Sequence, residues 1–203
     1  MQNILQNKNE QKALEALLAS GVDGKRLLLH SCCAPCSSYV IEYLSEYLPI
    51  TVFYFNPNIS EEAEYRHRAA EEQRLISEMP TRFPVDFLEG EYKPGDFLSA
   101  VRGFELEPEG GARCRVCFSL RLSRTAAEAA ARGFDYFTTT LTISPLKDAA
   151  LINELGRETA KRYQVEWLPC DFKKKDGYKR SIELSAQYGL YRQNYCGCVF
   201  SKR

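Results

Sequence analysis

The chain carries no net charge, because its 27 Lys and Arg are balanced by 27 Asp and Glu. That argues against a protein that holds nucleic acid by bulk charge, so any RNA contact must come from a local patch, and DNA is not an expected partner. Long apolar runs are also missing, which removes a membrane role from the expectations. The first ten residues, Met1-Gln2-Asn3-Ile4-Leu5-Gln6-Asn7-Lys8-Asn9-Glu10, lack the basic region and apolar core of an export signal, and a cytoplasmic location is expected. No internal repeat and no low-complexity segment is present. The 203 residues, 44% hydrophobic and 27% charged, suit one ordinary globular domain with a real core.

What the chain does have is cysteine: seven of its eight cysteines fall into three local groups. Cys32, Cys33 and Cys36 end the run Leu27-Leu28-Leu29-His30-Ser31 and precede an amphipathic segment, so they sit where a buried strand turns into a helix. In open α/β sheets that is the ligand-binding edge. Cys114 and Cys117 open a long alanine-rich helical segment, and Cys196 and Cys198 flank Gly197 near the C-terminus. Helix starts and turns offer free N–H groups that favour thiolate, the form that binds metal, and Arg113, Arg115 and Arg121 add positive charge beside the second pair. Clustered thiols without an export signal point to metal or redox work rather than disulfides.

The spacing Cys-x-x-Cys lets two sulfurs reach one centre, whereas adjacent Cys32 and Cys33 are expected to project in different directions, which would allow them to serve different centres. Two such groups fill the four positions of a zinc ion or an iron–sulfur cluster. Seven thiols exceed one four-ligand site, which leaves two metal centres, or one centre plus free redox thiols. A thioredoxin-like exchange through Cys33 and Cys36 leaves five clustered thiols idle. Cys170, alone after a strand, reads as a core or loop cysteine.

Along the chain, strands are expected over 25–31, 50–55, 83–88, 134–141 and 165–168. Helices are expected over 10–20, 37–48, 60–78, 94–101, 115–132, 145–163 and 178–188. The alternation predicts an α/β fold with a doubly wound parallel sheet in a single domain. Residues 1–24 form an N-terminal helical extension in this reading, and 25–203 form the metal-binding domain. Arg66, His67, Arg68 and Arg74 are expected to make a basic helix face. The segment Phe172-Lys173-Lys174-Lys175-Asp176-Gly177-Tyr178-Lys179-Arg180 reads either as an RNA-contacting patch or as a solvated surface.

Four stretches together carry a resemblance: Leu29-His30-Ser31-Cys32-Cys33-Ala34-Pro35-Cys36-Ser37, Phe55-Asn56-Pro57-Asn58-Ile59, Cys114-x-x-Cys117, and Tyr191-Arg192-Gln193-Asn194-Tyr195-Cys196-Gly197-Cys198. On these the chain resembles the epoxyqueuosine reductase family of the QueH type. The resemblance implies a fold related to the ATP-pyrophosphatase type of adenine-nucleotide α-hydrolases, with cysteines where those proteins place phosphate-binding glycines. It also implies reduction of epoxyqueuosine to queuosine at the wobble position of tRNA anticodons, using an unidentified electron donor. Two electrons and two protons remove the epoxide oxygen as water and leave an alkene. No side chain supplies those electrons, so a [4Fe-4S] cluster is implied, with an additional iron ion as Lewis acid.

Carried over by position, the ligands are Cys32, Cys33, Cys36, Cys114, Cys117, Cys196 and Cys198. Candidate acids for the leaving oxygen are His30, Asp171, Tyr191 and Tyr195, and candidate substrate contacts are Asn56, Asn58, Tyr178 and Arg192. Two other functions fit the same residues. A cluster-dependent tRNA thiolase of the same broad fold requires an intact phosphate loop, which is not found, and a zinc-stabilised RNA-binding module requires no electrons.

Overall fold

The structure, a computed structural model, describes residues 2–202. Its centre is a five-stranded sheet in the order β3-β2-β1-β4-β5, built from β1 (Leu27–Ser31), β2 (Ile50–Tyr54), β3 (Val85–Glu89), β4 (Tyr136–Thr139) and β5 (Glu166–Trp167). Every pairing is parallel. β1 is buried along its whole length and its neighbours β2 and β4 nearly so, as required of central strands covered on both faces. β3, at one edge, is half exposed, and β5 is only two residues long.

The helices are α1 (Gln2–Ala19), α2 (Ala34–Leu44), α3 (Glu62–Glu78), α4 (Pro94–Ala100), α5 (Ala112–Ala131), α6 (Ala149–Tyr163) and α7 (Gly177–Gln187). The doubly wound parallel architecture therefore stands as expected. α1 packs against α6, and Leu14 and Leu18 bury its inner face. Among the described residues no helix is long and apolar enough to cross a membrane.

Several boundaries differ from the expected ones, and the differences position the site. α2 begins three residues early, with Cys33 as its N-cap and Pro35 in its first turn, where a missing N–H costs nothing. Cys36 therefore lies inside the helix. The expected strand over 134–141 stops at Thr139, whose Oγ1 accepts from Leu141 N at 3.2 Å and turns the chain into a 3₁₀ turn, Thr140–Ile143. α6 starts only at Ala149, because Asp148 Oδ1 caps it by accepting from Ala150 N at 2.9 Å and Leu151 N at 3.2 Å. Residues 144–148 are left as a loop beside the cysteine edge.

The expected basic face on α3 is not one. Arg68 is buried and paired with Glu64, Arg66 pairs with Glu62 and Glu89, and Arg74 pairs with Glu71 and Glu78. The run at 172–180 is only partly neutralised: Phe172 is buried, Lys173 pairs with Asp171, Lys175 with Glu15, and Arg180 with Glu42 and Glu183, while Lys174 and Lys179 form no ion pair among the described residues.

Candidate metal centre and adjoining cavity

Strand order reverses between β1 and β4: the chain leaves β1 toward β2 on one side, and β4 flanks it on the other. A crevice opens outside the strand ends at such a switch point. Here the turn from β1 into the first turn of α2 contributes Cys32, Cys33 and Cys36, and the segment after β4 contributes Leu141, Ile143 and the loop through Lys147. Both line a cavity of about 420 Å³. The C-terminal segment closes it with Arg192, Gln193, Asn194, Tyr195 and Cys196.

The three sulfurs of Cys32, Cys33 and Cys36 lie within 4.8 Å of one another, and Cys32 Sγ is 3.8 Å from Cys33 Sγ. This corrects the expectation that the adjacent pair diverges. Cys33 is extended as the N-cap, while Cys36 comes back from the first helical turn, so all three converge. Hydrogen bonds from Cys33 and Cys36 hold the Cys32 thiol well below its usual range; in turn the bond to Cys32, with burial, pushes Cys33 up to about 12, and bonds to Cys32 and Cys33 push Cys36 well above the normal thiol range. One negative charge therefore forms readily on Cys32, and further charge on the trio needs a bound cation to offset it. A donor set of three converging, largely buried sulfurs fits a thiophilic metal or an iron–sulfur cluster.

Of the other groups, Cys117 and Cys198 are buried together with Phe97 and Val101, and Cys196 packs against them. Cys196 is held low, at about 5, by a hydrogen bond from Cys198, and burial raises Cys117 to about 11. Cys114 lies in the first turn of α5, where its Sγ accepts from Gly110 N at 3.2 Å. The turn that brings Cys196 and Cys198 to the same place depends on Gly197. Its φ is 95°, and an added Cβ would stand 2.5 Å from Ile59 Cγ1. Cys170 is a core residue: fully buried, its sulfur accepts from Thr138 Oγ1 and Thr142 Oγ1 at 3.4 Å each.

The remaining expected site residues separate into two sets. Tyr195, Tyr178 and Arg192 line the cavity. Five others are committed to the scaffold. His30 is fully buried: its Nε2 lies 3.2 Å from both Arg121 Nε and Phe55 O, and its Nδ1 lies 2.7 Å from Thr139 Oγ1. Burial, reinforced by the Arg121 charge, lowers its pKa to about 3, so the ring stays neutral and is a poor proton source. Asp171 is buried against Lys173 and does not line the cavity. Asn56 and Asn58 spend their amides on the cysteine segments, Asn56 Nδ2 donating to Ser31 O and Asn58 Nδ2 to Cys196 O, each at 2.9 Å. Tyr191 points away, its hydroxyl donating to Glu64 at 3.2 Å.

Two residues that sequence reasoning missed belong to the site. Lys147 lines the cavity, and negative charge on Cys32, Cys36 and Cys196 stabilises its ammonium against the cost of burial. Glu72 is wholly buried and accepts from Ser31 Oγ and Ser37 Oγ, on either side of the triple-cysteine loop. Glu72 does carry a sequence signal: it follows Tyr65 and Ala69 and precedes Leu75 at helical spacing, on the inward face of α3. Lys147 carries none.

The family model described as "Epoxyqueuosine reductase QueH" matches residues 27–203. A protein of that name from Streptococcus pyogenes serotype M1 is 49% identical over 179 residues, 87% of this chain and 70% of that one. Its counterpart in Staphylococcus epidermidis is 44% identical over 203 residues, 97% of this chain and 85% of that one. The protein of the same name from Thermotoga maritima is 35% identical over 178 residues, covering 86% and 89%. The match takes in all five strands and every cysteine group described above, so the chain belongs to the epoxyqueuosine reductase QueH family.

Proposed function

We propose that this protein is an epoxyqueuosine reductase acting on tRNA in the cytoplasm, with Cys32, Cys33, Cys36, Cys114, Cys117, Cys196 and Cys198 as ligands of a [4Fe-4S] cluster and an additional iron. The observation that carries this reading is the convergence of three thiols on the wall of a cavity large enough for one extruded nucleobase. When bound, such a centre supplies the two electrons and a Lewis-acid site that no side chain offers.

The rest of the chemistry falls to this chain's own groups. Arg192 and Tyr178, at the cavity edge, are suited to a phosphate and a stacked base. Apolar Leu141, Ile143, Pro145 and Leu146 form a wall that limits water around the reacting carbons. The departing oxygen needs a proton, and Tyr195 is the one expected acid that lines the cavity. Arg68 Cζ lies 5.3 Å and Lys202 Nζ 5.8 Å from its ring centroid, so a phenol that has given up its proton remains beside two cations.

The test is to give the anaerobically reconstituted protein, with a chemical reductant, tRNA containing epoxyqueuosine and to look by mass spectrometry for loss of one oxygen. An unchanged nucleoside under those conditions overturns the reading. Metal and acid-labile sulfide analysis separates the alternatives: zinc without sulfide favours an RNA-binding module, and consumption of ATP favours a thiolase.

A further inference from the structure

Arg121 is buried to 2% exposure, yet both of its polar partners are neutral. Its Nε donates to His30 Nε2 at 3.2 Å and its Nη2 to Asn56 Oδ1 at 2.5 Å. Among the described residues no carboxylate lies within ion-pair distance of it. A guanidinium does not escape this position by losing its proton, and a buried charge without a counter-ion is strongly destabilising. Negative charge must therefore come from elsewhere, and the cavity that Arg121 lines holds four cysteines, Cys32, Cys33, Cys36 and Cys196, against a single carboxylate, Glu109.

It stands four residues after Cys117 on α5, hence on the same helix face, and it lines the cavity together with Cys32, Cys33 and Cys36. Its partner Asn56 bonds Ser31 O, immediately before Cys32, and two residues on Asn58 bonds Cys196 O. The guanidinium thus sits where the three segments bearing the cysteine groups are tied together.

We propose that Arg121 is a positioning residue of the cysteine centre: its buried charge balances the thiolates collectively, and through Asn56 it fixes α5 against the triple-cysteine loop. The same charge that stabilises the thiolates stabilises the more negative, reduced state of a cluster held by them, and so raises its reduction potential. This rests on reading those cysteines as ligands of an iron–sulfur centre.

The experiment compares wild-type, Arg121→Gln and Arg121→Lys proteins, full length and reconstituted anaerobically. It measures iron and sulfide content, and then reduction potential by dithionite titration followed by electron paramagnetic resonance. The expected result is a lower potential in Arg121→Gln and a potential within error of wild type in Arg121→Lys, which keeps the charge and loses the planar fork. A cluster-loaded Arg121→Gln protein with an unshifted potential overturns the inference while leaving the cofactor reading intact. A wild-type protein that assembles no cluster overturns the cofactor reading and this inference with it. If Arg121→Gln does not fold, Arg121→Lys decides alone: a wild-type potential supports the role of charge, and a displaced potential or an empty centre overturns it.

Discussion

Ser31 Oγ donates to Glu72 Oε2 at 2.9 Å, while Ser37 Oγ donates to the other oxygen of the same carboxylate at 2.5 Å. One buried side chain on α3 therefore holds both ends of the loop that carries Cys32, Cys33 and Cys36. Replacing it with alanine leaves two buried hydroxyls without a partner and frees the spacing of the sulfurs, at a cost of about 2 to 4 kcal/mol. Glu72→Ala is expected to lower both thermal stability and iron content after reconstitution. Glu72→Gln keeps an acceptor for one serine and a donor for the other, and is expected to retain iron near the wild-type level.

The same carboxyl gives stability a pH dependence. Burial raises Glu72 to about 7 from the 4.5 of a free glutamate, with the two serine bonds opposing the shift. Between those values the folded state binds more protons at this group than the unfolded chain does. Stability therefore falls as pH rises from about 4.5 to about 7 and is flat above, with a total contribution of about 3 kcal/mol. Urea unfolding of metal-free wild-type and Glu72→Gln proteins at pH 5.5 and 7.5 checks this. The wild type is expected to lose stability relative to the variant across that interval; parallel profiles contradict it.

Cysteine substitutions separate the ligand groups from the core. Cys33→Ala and Cys117→Ala are expected to lower iron content, the first because it removes a sulfur from the converged trio, the second because Cys117 is packed with Cys196 and Cys198, the other proposed ligands. Cys170→Ala removes a buried sulfur bonded only to Thr138, Thr142 and the Thr139 carbonyl, and should cost about 1 to 2 kcal/mol of stability with iron unchanged. Equal iron loss in all three would mean that the grouping is wrong.

Gly197→Ala tests the turn. At φ 95°, with Ile59 Cγ1 2.5 Å from the added Cβ, the substitution strains the backbone and must displace either Ile59 or the Cys196–Cys198 segment. A loss of about 1 to 3 kcal/mol is expected together with reduced iron binding. Iron content equal to wild type would show that the turn is not needed to present those sulfurs.

The sheet was legible in the sequence because buried parallel strands are near-continuous apolar runs, as in Leu27–Leu29 and Ile50–Phe55. The triple-cysteine loop was legible because those thiols follow such a run. The meeting of Cys32 with Cys33 was not, since it depends on Cys33 taking the extended N-cap conformation before Pro35. Lys147 was hidden for a similar reason: the Thr139 and Asp148 caps end β4 early and start α6 late, and nothing in the side-chain pattern of 140–148 announces both. Asn56 and Asn58 read as substrate contacts because they stand at the strand end neighbouring the cysteine edge. Here both are buried, their amides holding the cysteine segments in place.

Tyr195 and Tyr191 offer a matched comparison for the proton donor, since they lie four residues apart and only Tyr195 lines the cavity. Tyr191 instead bonds Glu64 and packs edge-on against His67, with ring centroids 4.5 Å apart. Tyr195→Phe keeps the ring and its contacts with Arg68 and Lys202 but removes the ionisable hydroxyl. If the phenol protonates the departing oxygen, turnover falls by roughly 10²-fold while iron content and tRNA affinity stay near wild type, the scale usual for loss of a positioned acid. Tyr191→Phe loses one surface hydrogen bond, about 1 kcal/mol of stability, and should turn over at the wild-type rate. Single-turnover kinetics on epoxyqueuosine-containing tRNA measure both. Equal rates for Tyr195→Phe and wild type would assign the proton to another group on the cavity wall, and Lys147 lines it.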